Sequence, residues 1–127
     1  MATNFESLDV WKECRLFRKQ ISGTIKTFPI EEKYRLSDQL IRASRSVTAN
    51  IAEGHGRYHF QENTQFCRQS RGSLTEILDH LICAFDENYI NQIQLDEFRG
   101  QNEKCLKLLN GYIGYLQKQK NNSQSSN

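Results

Sequence analysis

The stretch from Leu40 to Arg57, LIRASRSVTANIAEGHGR, limits most tightly what this chain can fold into. Leu40, Ala43, Val47 and Ile51 recur at the 3–4 spacing of one helical face. Arg42, Ser46, Asn50 and Glu53 recur at the same spacing beside them. Gly54 and Gly56 follow. Glycine enters the left-handed conformation without steric cost, so the helix is expected to stop there. A helix with a core row and an adjacent polar row has two tasks. One face packs its own domain, and the other is expected to meet a second subunit, another helix or a ligand.

The chain has 127 residues, 37% of them hydrophobic and 25% charged, which suits one domain with one core. One proline and 7 glycines are too little turn punctuation for a sheet protein of this size, so helices are favoured. Net charge is only +2, from 17 Lys and Arg against 15 Asp and Glu. A dedicated nucleic-acid binder shows a stronger basic footprint, although Arg42, Arg45, Arg57, Arg68 and Arg71 crowd the middle of the chain. Cys14, Cys67, Cys83 and Cys105 form no CxxC pair and fall in apolar helical stretches, where reduced thiols act as small hydrophobes. The opening MATNFESLDVWKE lacks a signal-peptide core, and no run reaches the length of a membrane span. The expected location is the cytoplasm.

Four helices are expected. The first starts near Ser7 as N-cap, runs through Trp11, Cys14, Phe17, Ile21 and Ile25, and ends at Phe28-Pro29. A turn of helix started by Pro29 fits the connection. The second runs from Ser37, again as N-cap, to the glycines at 54 and 56. The third runs from about His59–Gln61 to Glu87 and is expected to be the longest. Gly72 sits inside it at a cost of about 1 kcal/mol, which points to a close backbone approach there, with Ser73 beside it. The fourth carries Leu95, Phe98, Cys105, Leu108, Leu109, Tyr112, Ile113 and Leu116. Short loops then predict an all-α, antiparallel up-down-up-down four-helix bundle over residues 1–118. Residues 119–127 are too polar to bury surface and are expected to form a flexible tail.

No enzymatic constellation emerges, and neither a cofactor nor a metal is expected. Di-iron bundles need two Glu-x-x-His pairs, whereas Glu76 and His80 stand four apart and His55 and His59 lie at a helix junction. His80 and Cys83 offer two zinc ligands where a closed site needs four. The polar row is read as a structural or interface network of Arg42, Ser46, Asn50, Glu53, Arg57, Gly72, Ser73 and Glu76. Glu53 opposes the macrodipole at its helix end, so a partner such as Arg57 or Arg42 is expected. Arg45, Arg57, Arg68 and Arg71 are the candidate phosphate contacts, with Tyr58 and Phe60 available for base stacking; the competing assignment pairs these arginines with Glu53, Glu62 and Glu76.

Several of these residues carry a family resemblance. The run Gln39-Leu40-Ile41-Arg42-Ala43, then Ser46-Val47, Asn50-Ile51-Ala52-Glu53-Gly54 and Arg57, resembles the signature of the 23S rRNA intervening-sequence proteins. Leu8 to Trp11, Phe28-Pro29 with Glu32 and Leu36, and Gly72-Ser73-Leu74 with Glu76 match as well, so the resemblance covers roughly Phe5 to Leu116. It implies a small bacterial cytoplasmic four-helix bundle. Some such proteins are encoded in insertions of large-subunit rRNA genes, hence their ribosomal-protein label. One relative, the accessory variability determinant of diversity-generating retroelements, is a pentameric barrel held to bind nucleic acid and a reverse transcriptase. It is strongly basic, unlike this chain. The resemblance therefore implies a non-enzymatic homopentamer with RNA or a nucleoprotein as partner. A protein–protein module without nucleic-acid binding is the alternative.

Overall fold

The computed structural model describes residues 4–125, and among these the regular secondary structure is all helical. Helix α1 spans Asp9–Ile25, α2 Leu36–His55, α3 Phe60–Asp86 and α4 Gln92–Ser125. Single 3₁₀ turns, Phe5–Ser7 and Ile30–Glu32, precede α1 and α2. Each helix buries one ladder at 3–4 spacing. In α1 it is Val10, Cys14, Phe17 and Ile21, and in α2 Leu36, Leu40, Ala43, Val47 and Ile51. In α4 it is Leu95, Phe98, Asn102, Cys105, Leu109, Ile113 and Leu116.

Cross-helix pairs give the topology. Val47 meets Ser70, while Gly54 meets Asn63, so α2 and α3 run in opposite directions. Asn63 pairs with Tyr112 and Leu74 with Asn102, reversing α4 against α3. Phe17 faces Phe98 while Glu13 reaches Lys104, reversing α4 against α1. Every helix packs on its chain neighbours and α1 also closes on α4. The arrangement is that of an up-down-up-down bundle.

The ends differ from the sequence expectations in instructive ways. Ser7 does not cap α1; Asn4 caps the preceding turn by accepting from the Glu6 N–H at 3.0 Å, and Phe5 packs edge-on to Trp11. Ser37 does not cap α2 either, because the helix starts one residue earlier and buries Ser37. Pro29 does open the 3₁₀ turn. Gly54 and Gly56 do not supply a left-handed stop, since no glycine has positive φ. Gly54 is helical and buried, and the left-handed residue of this turn is Tyr58 at φ 62°. What Gly54 supplies is proximity, because a Cβ there would sit 2.7 Å from Asn63 Oδ1 and 2.9 Å from Phe66 Cβ.

Helix α4, not α3, is the longest, with 34 residues against 27. It is about 51 Å long, twice the length of α1. Cys14 lies beside Cys105, so the last turns of α4 extend beyond the start of α1. They lie against the first turns of α3, where Lys120 and Ser123 face His59 to Gln65. The expected boundary at 118 has no counterpart in the backbone. Gln and Lys are good helix formers, so the helix continues to Ser125 after its apolar ladder ends at Leu116. Residues 126 and 127 of the expected tail lie outside the described residues.

Candidate nucleic-acid interface and polar network

The polar row on α2 divides into separate clusters. Helical rise sets Arg42 and Glu53 about 16 Å apart, too far for one network. At the middle, Asn50 Nδ2 donates to the Ser46 carbonyl at 2.9 Å and to Ser46 Oγ at 3.0 Å. Ser73 Oγ donates to the same Ser46 Oγ at 3.0 Å, joining α3 to α2. This trio is half-buried and satisfied within the chain. Toward the turn, Arg57 meets Glu53 at 3.0 Å and Glu62 at 3.9 Å and stacks 5.2 Å from the Phe66 ring. Arg57 is thus the partner Glu53 requires, and its charge is committed. At the other end Arg42 meets Asp38 at 3.5 Å, with both side chains well exposed. Glu76 meets His80 at 3.1 Å on its own helix. Gly72 is exposed, and a Cβ added to it would find nothing within 4 Å, so the close approach it permits is not made by this chain.

The candidate phosphate contacts also separate. Arg45 lies in a cleft between α1 and α2 with Arg18, Lys19 and Ser44. Arg68 and Arg71 project along the α3–α4 face. Arg71 Nη1 donates to Asn110 Oδ1 at 3.0 Å. Arg68 lines a small cleft of about 120 Å³ with Gln61, Thr64, Gln65, Gln117 and Lys120. Neither Arg68 nor Lys120 forms an ion pair among the described residues. A wider opening of about 490 Å³ adjoins it, bounded by His59, Phe60, Glu62 and Lys120. Tyr58 stands at the tip of the α2–α3 turn, 92% exposed, its left-handed backbone unusual for an aromatic residue.

These signature positions, now placed in space, can be compared with known proteins. A family model described as 23S rRNA-intervening sequence protein matches residues 6–111. The chain belongs to this family. The matched region takes in every residue of the polar row and all four candidate arginines, but stops short of Gln117 and Lys120. A crystal structure from Bacteroides thetaiotaomicron, titled as a protein with unknown function from the S23 ribosomal protein family, superposes with a TM-score of 0.75. It is 22% identical, over 82% of this chain and 97% of that one, and so speaks to the fold of this family member. A comparison with curated proteins finds no match.

Beneath the α2–α3 turn lies a junction that sequence reasoning missed. Asn63 Nδ2 donates to Tyr112 Oη at 3.1 Å, and Cys67 Sγ donates to Asn63 Oδ1 at 3.5 Å. His55 Nδ1 lies 3.5 Å from the same Tyr112 hydroxyl. Three helices are thereby tied at one level, against Gly54. The signal was positional, since 63, 67, 70, 74 and 77 form one 3–4 ladder and its polar rungs are as buried as its apolar ones. Burial pushes the Tyr112 hydroxyl up, against the lowering effect of Asn63. The Cys67 thiol is pushed up to about 12 by burial alone. Cys14 is raised further, by its hydrogen bond with Cys105 and by burial, so both are inert neutral thiols. Cys83 is the exception to the apolar expectation, lying exposed. No three His, Cys, Asp or Glu residues among those described are placed to hold a metal ion. No described helix is long and apolar enough to cross a membrane.

Proposed function

We propose that this protein is a non-enzymatic, cytoplasmic, self-associating scaffold that binds RNA across its α3–α4 face. The observation that carries the reading is the unneutralised charge there. Arg68 and Lys120 line a cleft whose other walls are amide and hydroxyl side chains, neither forms an ion pair among the described residues, and Arg71 is held by an amide. Arginine forks without carboxylate partners suit phosphate oxygens. Phe60 lines the adjoining opening, Tyr58 stands exposed two residues earlier in the α2–α3 turn, and both rings offer faces on which unpaired bases stack. Self-association, with a pentamer as the expected ring, rests on the family resemblance, and Gly72, exposed on α3 within the polar row, is a surface position at which to test it.

Fluorescence anisotropy with a labelled single-stranded RNA tests this. Wild-type affinity is expected to fall steeply from 50 to 200 mM salt, and Arg68→Glu with Arg71→Glu to reduce both affinity and salt slope. Unchanged affinity in the folded double variant overturns the assignment. Light scattering in dilute buffer tests assembly, and a stable monomer removes the ring.

A second reading, a protein–protein module, is favoured by one feature. Ile30, Tyr34 and Ile93 are exposed at 75, 83 and 69% at the opposite end of the bundle. Absence of RNA binding by the folded protein would move the choice to this end.

A further inference from the structure

We propose that the cleft between α1 and α2 is a phosphate-binding site. The sequence concentrates charge there in a way the net +2 conceals. From Cys14 to Ile25 and from Gln39 to Ala52 there is no acidic residue, yet these stretches hold Arg15, Arg18, Lys19, Arg42 and Arg45. Folding brings the two stretches together. Arg18, Lys19, Ser22, Ile41, Ser44 and Arg45 enclose a cleft of about 160 Å³ with no carboxylate in its wall. Arg18, Lys19 and Arg45 form no ion pair among the described residues. Asp38, on the same side of α2 as Arg45, is engaged by Arg42. Glu13, the remaining acid in the interior of α1, is turned to α4, where it meets Gln101 and Lys104.

The cleft is also organised. Arg18 Nη1 donates to Thr48 Oγ1 at 2.7 Å, and Thr48 Oγ1 in turn donates to the Arg45 carbonyl at 3.2 Å. Thr48 is buried, so it fixes the half-buried Arg18 fork, whose other guanidinium N–H groups have no partner among the described residues. Ser22 Oγ has no partner among the described residues and supplies a neutral donor. Three cations converging from two helices repel one another when the cleft holds only water, and an anion offsets that repulsion. Convergence of three cationic groups suits the several oxygens of a tetrahedral phosphate better than the two of a carboxylate. The volume, about that of five waters, admits one phosphate group with part of its hydration. Free phosphate and an RNA backbone phosphate share this chemistry, and the site does not depend on the α3–α4 reading.

The test is titration of the intact protein with inorganic phosphate at constant ionic strength, followed by amide chemical shifts, with acetate as the comparison anion. Saturable shifts in α1 and α2 with phosphate and not acetate are expected. Arg45→Gln should weaken binding about tenfold or more. Thr48→Val keeps every charge and the side-chain volume but releases Arg18, and should weaken binding several-fold. Arg68→Glu should leave it unchanged. No saturable response, or wild-type affinity in both cleft variants, overturns the site. Repeating the RNA titration with the cleft variants separates the sources: loss of both ligands assigns a backbone phosphate, and loss of phosphate alone assigns the free ion. Phosphate binding without RNA binding would sink the α3–α4 reading and leave the cleft standing. RNA binding lost only through Arg68 and Arg71, with no phosphate response, would do the reverse.

Discussion

Gly54→Ala tests the claim that this glycine exists to let α2 approach α3. In an open helix interior the change gains about 1 kcal/mol. Here the new methyl would lie 2.7 Å from Asn63 Oδ1, 2.9 Å from Phe66 Cβ and 3.1 Å from the Asn63 carbonyl. Two of these atoms belong to the backbone or stem of α3 and move only with the helix. The third can retreat only by loosening the Asn63 contacts with Cys67 and Tyr112. Overpacking of this kind costs about 1–3 kcal/mol, and a weakened hydrogen bond adds about 0.5–1.5 kcal/mol. After subtracting the helix gain, a net loss of about 1–3 kcal/mol is expected, or several degrees in Tm. Gly100→Ala is the control, because nothing lies within 4 Å of its added Cβ, and it should gain about 0.5–1 kcal/mol. Urea unfolding at one fixed protein concentration reads both. A neutral or stabilising Gly54→Ala refutes the close-approach explanation.

Three further outcomes follow from the same geometry. Asn102→Ala removes the buried Nδ2 donation to the Leu74 carbonyl at 2.8 Å and leaves a cavity, so urea unfolding should show a loss of about 1–3 kcal/mol. Gly72→Ala should raise protomer stability by about 0.5–1 kcal/mol while weakening self-association; assemblies of unchanged size and affinity in light scattering would place Gly72 outside the interface. The Cys67 thiol, raised from 9.0 to about 12 in the fold, keeps its proton more tightly folded than unfolded. Its contribution is therefore intact below pH 9 and declines between pH 9 and 12, and the stability–pH curves of wild type and Cys67→Val should diverge in that window.

The four helices were legible because each carries a 3–4 apolar ladder strong enough to fix its face. The caps were not, because Ser7 and Ser37 have the right chemistry for an N-cap while local packing placed the helix starts elsewhere. Gly54 was noticed for the wrong reason. Conformational freedom and closeness both select glycine, and only the partner helix tells them apart. Asn63, Ser70 and Asn102 escaped notice because a polar residue on a core ladder looks like an interruption until its acceptor is seen. The grouping of the arginines was also beyond the sequence. Arg57 is neutralised, Arg68 and Arg71 are not, and Arg45 faces a different cleft with α1 residues that no helical period links to it.

The overhang of α4 gives the sharpest separation between stability and binding. Past Leu116 this helix has no apolar residue, so its last turns meet the start of α3 through polar side chains alone. Removing residues 117–127 therefore takes away little buried apolar surface, and bundle stability should change by less than about 1 kcal/mol. The same removal strips Gln117 and Lys120 from the cleft beside Arg68 and opens the wall facing His59 and Phe60. If the α3–α4 face holds RNA, affinity should fall and the salt slope should drop by about 0.7 for the lost lysine contact, with the fold intact by circular dichroism. A variant that unfolds more readily by several kcal/mol would mean that the overhang is a packing element. One that binds RNA as tightly as the full chain would mean that phosphate passes over some other part of the surface.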